Sequence, residues 1–224
     1  MKISFCTNCK GRLWQLEQTI FKNMSMLEDD CEMVLLDYQS PDGLEEFIRT
    51  HFDAELTSGK LKYFKLMHDY NYSCAYAKNV VHRLATGTIL FNLDADNFIQ
   101  PGLVDELRGL RKNKILHHIT KSTPIDSGSF GRIGYHAEAF HRLNGYRESI
   151  IGMGADDGDL ISRAINAKMS LHTLWSKEDH IRNDLKDKTK YTKVEGLTQP
   201  PVDYPLIWGK ATVTNINGEI IEVG

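Results

Sequence analysis

Short apolar runs alternate with longer amphipathic stretches along the chain. Four runs of β-branched and aliphatic residues predict strands, and the stretches between them carry apolar residues at helical spacing. The predicted strands are Met1–Cys6, Glu32–Asp37, Leu61–Leu66 and Thr88–Leu93, and the predicted helices are Leu13–Met26, 44–52 and Ala75–Ala85. This alternation is typical of an α/β fold in which helices pack on both faces of a mostly parallel sheet.

The second half of the chain adds helices, a late strand and a terminal hairpin. The predicted helices are Pro101–Lys112, His136–Leu143 and 157–167, and the predicted strand is Ser170–Trp175. The Gly-rich stretch Ser127–Tyr135 is either a strand or a loop. The pair Asn217-Gly218 lies between β-rich arms within Trp208–Val223, which predicts a hairpin.

Residues 182–193 differ in character from the rest of the chain. They include five basic residues and few apolar ones, so we predict a solvated and mobile segment. We therefore predict one domain over residues 1–182. Residues 183–224 would be an appendage, made of this basic segment and the hairpin, that packs on the same domain.

Composition narrows the class of protein. The 224 residues are 41% hydrophobic, which allows a substantial core, and the net charge of −3 gives no reason to expect a nucleic-acid partner. No run approaches the roughly 18 apolar residues of a membrane span, and the N-terminus has no signal-peptide pattern. We expect no transmembrane segment and a cytoplasmic location, and association with a membrane surface stays open.

The four cysteines do not form a zinc motif. Cys6 and Cys9 make one Cys-x-x-Cys pair, but a four-thiolate zinc site needs a second pair, which the sequence lacks. We expect Cys6 to be a buried thiol in the first strand. Reduced thiols fit the cytosol.

Polar residues follow three of the predicted strands, at the point where each strand ends. These polar ends are Thr7–Lys10, Asp37–Asp42 and Asp94–Asn97. In open α/β sheets ligands bind beyond the carboxyl ends of the strands, so we expect the three ends to form one site.

Asp94 and Asp96 suggest the chemistry of that site. Side chains at i and i+2 of a strand share a face, so we expect Asp94 and Asp96 to point the same way and repel each other, with a positive charge between them. Paired carboxylates suit a hard divalent cation, and a cation held by few protein groups usually shares its coordination with a substrate's phosphates. This predicts a nucleoside diphosphate site; a solvated turn is the alternative.

Four stretches, taken in order, resemble known glycosyltransferases. "LLDYQSPDG" resembles the Val-Asp-Asp-Gly-Ser-Thr-Asp-Gly signature of family 2 glycosyltransferases, and "YAKNVV" with "ATGTILFNLDADNFIQPG" resembles their Ala-Arg-Asn helix and Asp-x-Asp strand. "GRIGYHAEAFHRLNGYRESIIGMGADDGDLISRA" is similar to the C-terminal segment of the β-1,4-galactosyltransferases. The resemblance covers about residues 1–182.

The resemblance implies a catalytic domain with the GT-A fold. Such a domain would move a hexose from a UDP-sugar to a saccharide or glycolipid acceptor, with Mn²⁺ or Mg²⁺ and inversion at the anomeric carbon, as in polysaccharide biosynthesis. The donor-binding residues that it implies are Arg12, Asp37, Lys78, Asn79, Asp94 and Gly134. The metal ligands that it implies are Asp94, Asp96 and His180.

Each implied donor residue also has a plainer interpretation. Asp37 could cap the turn before Ser40, Arg12 could be an exposed charge in a first helical turn, and Lys78 and Asn79 could be residues of a helix surface. His180 is one of nine histidines, and most histidines bind no metal.

The stretch "GMGADDGDL" would contain the catalytic residue. Asp157 occupies the position of the family's catalytic base, and Asp156 and Met153 would contact the acceptor. Acids at the start of a helix can instead serve only to cap it. Met153 and Gly158 replace a tryptophan and an aspartate of the family's motif, so the acceptor stays open.

Three other functions stay open. A nucleotidyltransferase would use the same groups, but its Gly-rich, Arg-containing loop after the first strand is missing, since "TNCKGRL" has one glycine. A catalytically silent module that binds sugar nucleotides or glycans is the second. A retaining glycosyltransferase of the same fold is the third.

Overall fold

A single nine-stranded sheet forms the centre of the molecule. In the computed structural model, residues 1–120, 128–150, 155–177, 180–182, 186, 190, 198 and 208–224 are described. The strands are β1 Ile3–Cys9, β2 Cys31–Asp37, β3 Leu61–Leu66, β4 Ile89–Asn92, β5 Lys114–Thr120, β6 Ile133–His136, β7 Ser170–Ser176, β8 Ala211–Asn215 and β9 Ile220–Val223. Their order across the sheet is β7-β5-β6-β4-β1-β2-β3-β8-β9.

Seven helices with described bounds lie between the strands. They are α1 Leu13–Ser25, α2 Leu44–His51, α3 Asp53–Ser58, α4 Cys74–Leu84, α5 Leu103–Arg108, α6 Ala137–Arg142 and α7 Ala155–Asn166. This arrangement confirms the predicted α/β class. No helix among the described residues is both long and apolar enough to cross a membrane.

Parallel pairing brings the polar strand ends together. β1 lies between β2 and β4 and runs parallel to both, with Cys9 opposite Asp37 and Cys6 opposite Asn92. β3 continues the parallel set beside β2. Because the carboxyl ends of parallel strands meet at one edge, the residues that follow β1, β2 and β4 lie at the same edge, where open α/β sheets have their ligand crevice.

The central strands are apolar on both faces because helices cover both. On one face, Phe5, Leu35 and Phe91 pack with α1, α2 and α5. On the other face, Val34 and Leu36 pack with α4. Strands covered on both faces form near-continuous apolar runs, which is why the sequence marked β1 to β4 clearly.

The second half of the sheet is mixed. β6 is antiparallel to both β4 and β5, whereas β5 and β7 are parallel. At the far edge, β8 and β9 pair as a hairpin around Asn217-Gly218, and β8 is antiparallel to β3. Most of the basic segment 182–193 lies outside the described residues, and the proposed boundary at residue 182 stays a prediction.

The strand β5 was not predicted from the sequence. Two adjacent histidines, His117 and His118, interrupt its apolar run, and both are buried in the structure. Burial lowers the pKa of both histidines, which keeps them neutral and compatible with a sheet interior. The short helix α3 was also missed.

Glu32 is a buried charge that joins strand ends on the side of the sheet opposite the crevice. It is 1% exposed, accepts a hydrogen bond from the Ser4 hydroxyl (2.6 Å), and forms ion pairs with Lys2 (2.5 Å) and Lys62 (2.9 Å). Burial acts to raise the pKa of Glu32, but these partners outweigh it and lower the pKa to about 2. The carboxylate therefore stabilises the fold in its ionised form.

Glu32→Gln should lower the free energy of unfolding by about 2 kcal/mol at pH 7, since it removes hydrogen bonds to a buried charge. The folded pKa lies below the ordinary value of 4.5, so the stabilisation is present above pH 4.5 and is lost as pH falls towards 2. Urea unfolding of both proteins should show their difference narrowing below pH 4.5. Glu138→Gln, at an exposed ion pair with Lys112, is the control and should change stability little. A difference that is constant with pH would contradict this account.

Candidate functional site

The two aspartates after β4 lie on a turn and not on the strand. β4 ends at Asn92, and the backbone N–H of Asn97 donates to the carbonyl of Asp94 (2.9 Å), which closes the turn. The expectation that Asp94 and Asp96 share a strand face was therefore wrong in its geometry. The two carboxylates still interact: burial raises the pKa of Asp96, and the charge of Asp94 raises it further.

Asn92 fixes the position of Asp94. Its side-chain Nδ2 donates to Asp94 Oδ1 (3.0 Å) and to the carbonyl of Gly131 (2.8 Å). Asn92 is fully buried at the end of β4, and Gly131 precedes β6, the neighbouring strand. The Asn92 amide thus joins the turn 94–97, called the acidic turn below, to the segment that precedes β6.

Gly131 lies against two carboxylates. A Cβ atom at this position would be 2.6 Å from Asp94 Oδ2 and 3.2 Å from Asp157 Oδ2. A side chain here would have to displace Asp94, so the lack of one allows the two carboxylates to border the same point of the backbone. Sequence analysis missed both Asn92 and Gly131, although a polar Asn in the apolar run "ILFNL" was a signal for the first.

The first turn of α7 brings two acids onto a buried lysine. Lys78, on α4, contacts Asp156 Oδ2 (2.9 Å) and Asp157 Oδ1 (2.6 Å), and its side chain is 2% exposed. The Asp156 and Asp157 side chains are 1% and 8% exposed. These contacts place Lys78 between the two acids. The predicted base, Asp157, also lies beside Gly131 and Asp94.

The acids of this group have opposite pKa shifts. Burial raises the pKa of Asp157, helped by the charges of Asp156 and Asp94, and Lys78 opposes this rise. Burial also acts on Asp156, but the charge of Lys78 outweighs it and holds that pKa below its ordinary value. Asp157 is therefore the member of the pair that takes up a proton more readily.

Arg12 supplies positive charge near Asp96. Desolvation and Asp94 raise the pKa of Asp96, whereas the charge of Arg12 lowers it. Arg12 precedes α1 and donates through Nη1 to Gln15 Oε1 (3.0 Å). The charge of Arg12 thus acts on Asp96, and the divalent cation predicted between Asp94 and Asp96 stays a prediction.

His180 lies next to the acidic turn. It pairs with Asn97 as an isolated bridge, and the N–H of Ile181 donates to the carbonyl of Asp96 (2.7 Å). His180 is thus held beside Asp96 through the backbone. Among the described residues, however, no three His, Cys, Asp or Glu side chains lie close enough together to hold a metal ion by themselves.

The side chain of Asn79 is held by hydrogen bonds to Tyr146 and Glu148. Its Nδ2 donates to the carbonyl of Tyr146 and to Glu148 Oε1, both at 2.8 Å, and its Oδ1 accepts from the Tyr146 N–H (2.7 Å). The side chain is fully buried. Asn79 therefore holds the turn after α6 against α4 and is not a residue of the helix surface, whereas the predicted donor contact stays a prediction.

Gly134 also lies away from the acids. A Cβ atom on it would be 2.7 Å from Leu107 and 3.1 Å from Phe91, inside the core. The donor contact predicted at Gly134 stays a prediction, and among the described residues before β6 it is Gly131 that borders the carboxylates. Met153, which is predicted to contact the acceptor, lies outside the described residues.

Asp37 lies at the end of β2 with both carboxylate oxygens engaged. Oδ1 accepts from the Ser40 N–H (2.6 Å), which is the turn-capping contact, and Oδ2 accepts from the Tyr63 hydroxyl (2.5 Å). Asp37 also lines a separate cleft of about 380 Å³ beside α2, with Arg49 and Lys65. The hydrogen bonds therefore agree with the capping interpretation, and the predicted contact with uridine stays a prediction.

Two family models together match most of the chain. The model of glycosyl transferase family 2 matches residues 5–121. A model described as the N-terminal domain of galactosyltransferase matches residues 122–188. No curated protein matches the chain.

Solved structures share the fold at low sequence identity. TarS 1-349 of S. aureus in complex with UDP is 14% identical, with a TM-score of 0.64 over 86% of this chain and 63% of that one. Glucosyl-3-phosphoglycerate synthase from Mycobacterium tuberculosis, with Mn²⁺, UDP and phosphoglyceric acid, is 11% identical, with a TM-score of 0.61 over 85% of this chain and 74% of that one. The mannosyltransferase PcManGT from Pyrobaculum calidifontis, with GDP-Man and Mn²⁺, is 16% identical, with a TM-score of 0.61 over 79% of this chain and 55% of that one.

These similarities identify the fold as GT-A, which confirms the predicted architecture. The chain spans 60% of the length of another structure of S. aureus TarS 1-349.

Gly131→Ala should displace the Asp94 carboxylate and break its 3.0 Å contact with Asn92, since the new methyl group would occupy the same space. Because Asp94 can rotate, the protein should still fold cooperatively, and a crystal structure should show Asp94 in a new rotamer. Gly158→Ala is the control: nothing lies within 4 Å of its Cβ, and alanine in a helix should add up to about 1 kcal/mol of stability. An unmoved Asp94 in Gly131→Ala would contradict the proposed packing.

Proposed function

Because the chain belongs to glycosyl transferase family 2, we propose that it transfers a hexose from a UDP-sugar to a hydroxyl of a saccharide or glycolipid acceptor, with a divalent cation. One observation carries the proposal. Asp94 and Asp157 both border Gly131, and Lys78 joins Asp157 to Asp156, at the carboxyl edge of the sheet where α/β proteins bind nucleotides.

The residues around the acidic turn fit Mn²⁺ or Mg²⁺ that is shared with a diphosphate. Asp94 and Asp96 offer oxygen ligands whose mutual repulsion a cation would relieve, and His180 is held beside them. Since the described residues form no complete protein cage, phosphate oxygens and water would complete the coordination. When bound, the ion would offset the negative charge of the departing diphosphate.

Asp157 is suited to take the proton of the acceptor. In an inverting transfer the acceptor oxygen bonds to the anomeric carbon, the bond from that carbon to UDP breaks, and UDP leaves with the electron pair. The proton of the acceptor hydroxyl would pass to Asp157 Oδ2, since Lys78 holds Oδ1. Burial raises the pKa of Asp157, which makes it a stronger base than an exposed aspartate.

UDP binding should depend on a divalent cation, because Asp94 and Asp96 repel a diphosphate in its absence. Calorimetry with Mn²⁺ should show binding that falls sharply when EDTA is added, and Asp96→Ala with Mn²⁺ should bind no better than the unaltered protein without metal. Asp105→Asn, at an exposed helix position, is the control and should bind normally. Equal affinity with and without EDTA would contradict the proposed donor site.

Asp157→Asn should lower the turnover of UDP-sugar by roughly 10²-fold or more and leave UDP affinity nearly unchanged, as expected when a general base is lost. Asp156→Asn should lower the turnover less, because Asp156 is not the proposed proton acceptor. UDP release from UDP-galactose, UDP-glucose and their N-acetyl forms measures the turnover. Equal losses of affinity and turnover in Asp157→Asn would instead assign Asp157 a structural role.

The same assay separates the alternatives. UDP binding without release or transfer would indicate a catalytically silent binding module. An NMR spectrum of the product that shows the donor's anomeric configuration retained would indicate a retaining enzyme, and Asp157 would then not be an inverting base.

A further inference from the structure

Lys78 is directed towards the acids of α7. An ammonium group has three N–H bonds. The Nζ atom contacts Asp156 (2.9 Å) and Asp157 (2.6 Å), and it lies 5.0 Å from the centre of the Tyr146 ring, within cation–π range. With a side chain 2% exposed, Lys78 is enclosed by these three groups.

The contact distinguishes the two oxygens of Asp157. Lys78 holds Oδ1, whereas Oδ2 borders the backbone of Gly131 together with Asp94 Oδ2. A carboxylate held by one oxygen cannot rotate freely, so its second oxygen keeps one direction. That direction is towards the acidic turn.

Lys78 is itself held on a rigid element. Its carbonyl accepts a hydrogen bond from Nδ1 of the buried His82 ring (2.6 Å), and the next residue, Asn79, donates to the carbonyl of Tyr146. The helix is capped at its start by Ser73, whose hydroxyl accepts from the Tyr76 N–H. The lysine is thus fixed to the sheet through α4 before it reaches the acids.

We propose that Lys78 is a positioning residue for Asp157: it holds Oδ1 and so presents Oδ2 to the acceptor hydroxyl. The proposal rests on the proposed role of Asp157 as base. It replaces the donor contact that the sequence suggested for Lys78. The charge of Lys78 also offsets part of the negative charge of Asp94, Asp156 and Asp157, so the test must separate position from charge.

Lys78→Met should lower kcat by about 10²-fold or more and change the Kd for UDP less than about twofold, since the lost contact orients the base and does not touch the donor. Lys78→Arg keeps the charge and the hydrogen bonds, and should recover most of the lost kcat. Lys112→Met, at an exposed ion pair, is the control and should be unchanged.

A charge-balanced variant isolates the effect of position. Lys78→Met combined with Asp156→Asn removes one charge of each sign, so it should fold even if Lys78→Met alone does not, and its kcat should stay low. Recovery of kcat in this double variant would overturn the proposal, because charge balance alone would then be sufficient. A Kd for UDP that weakens as much as kcat falls would also overturn it and would restore the donor contact.

A crystal structure of the double variant tests the position without any activity. Asp157 should leave the rotamer that it has in the unaltered protein, and an unmoved carboxylate would contradict the proposal. If the unaltered protein shows no transfer, the proposed function fails, whereas this structural readout still decides what Lys78 holds.

Discussion

The buried contact of Lys78 with Asp156 and Asp157 is the interaction on which the candidate site depends. Lys78 lies on α4, which packs on β1 and β2, and the acids lie on α7, which belongs to the second half of the sheet. The two family models also divide the chain between these partners, at residues 121 and 122. The ion pair therefore joins the two segments at the point where the chemistry is proposed.

This contact has a thermodynamic cost that constrains its surroundings. Charges removed from water are tolerated when they are paired and their hydrogen-bonding capacity is satisfied. Asn92 satisfies part of the hydrogen-bonding capacity of Asp94. Gly131 has no side chain, so Asp94 can lie close to Asp157. The acids can thus stay near one another while their pKa values are pushed in opposite directions, which gives one of them the character of a base.

The sequence predicted those features that rest on patterns along the chain. Strands covered on both faces are continuous apolar runs, and the three polar strand ends lie at one edge of the sheet, as expected. Features that arise from the meeting of distant segments could not be found in this way. The contact of Lys78 with Asp157 spans 79 residues, and the strand β5 contains two histidines whose burial no local pattern reveals. Gly134 and Gly131 look alike in "GRIG", and the register of β6 decides which of them borders the acids.

A crystal structure of the protein with UDP and Mn²⁺ tests the central claim most directly. The account predicts that the diphosphate and the metal lie beside Asp94 and Asp96, while Lys78 keeps its contacts with Asp156 and Asp157 and Asp157 Oδ2 takes no part in binding the diphosphate. A nucleotide bound instead in the cleft of Asp37 and Arg49, or a Lys78 side chain turned onto the diphosphate, would contradict it.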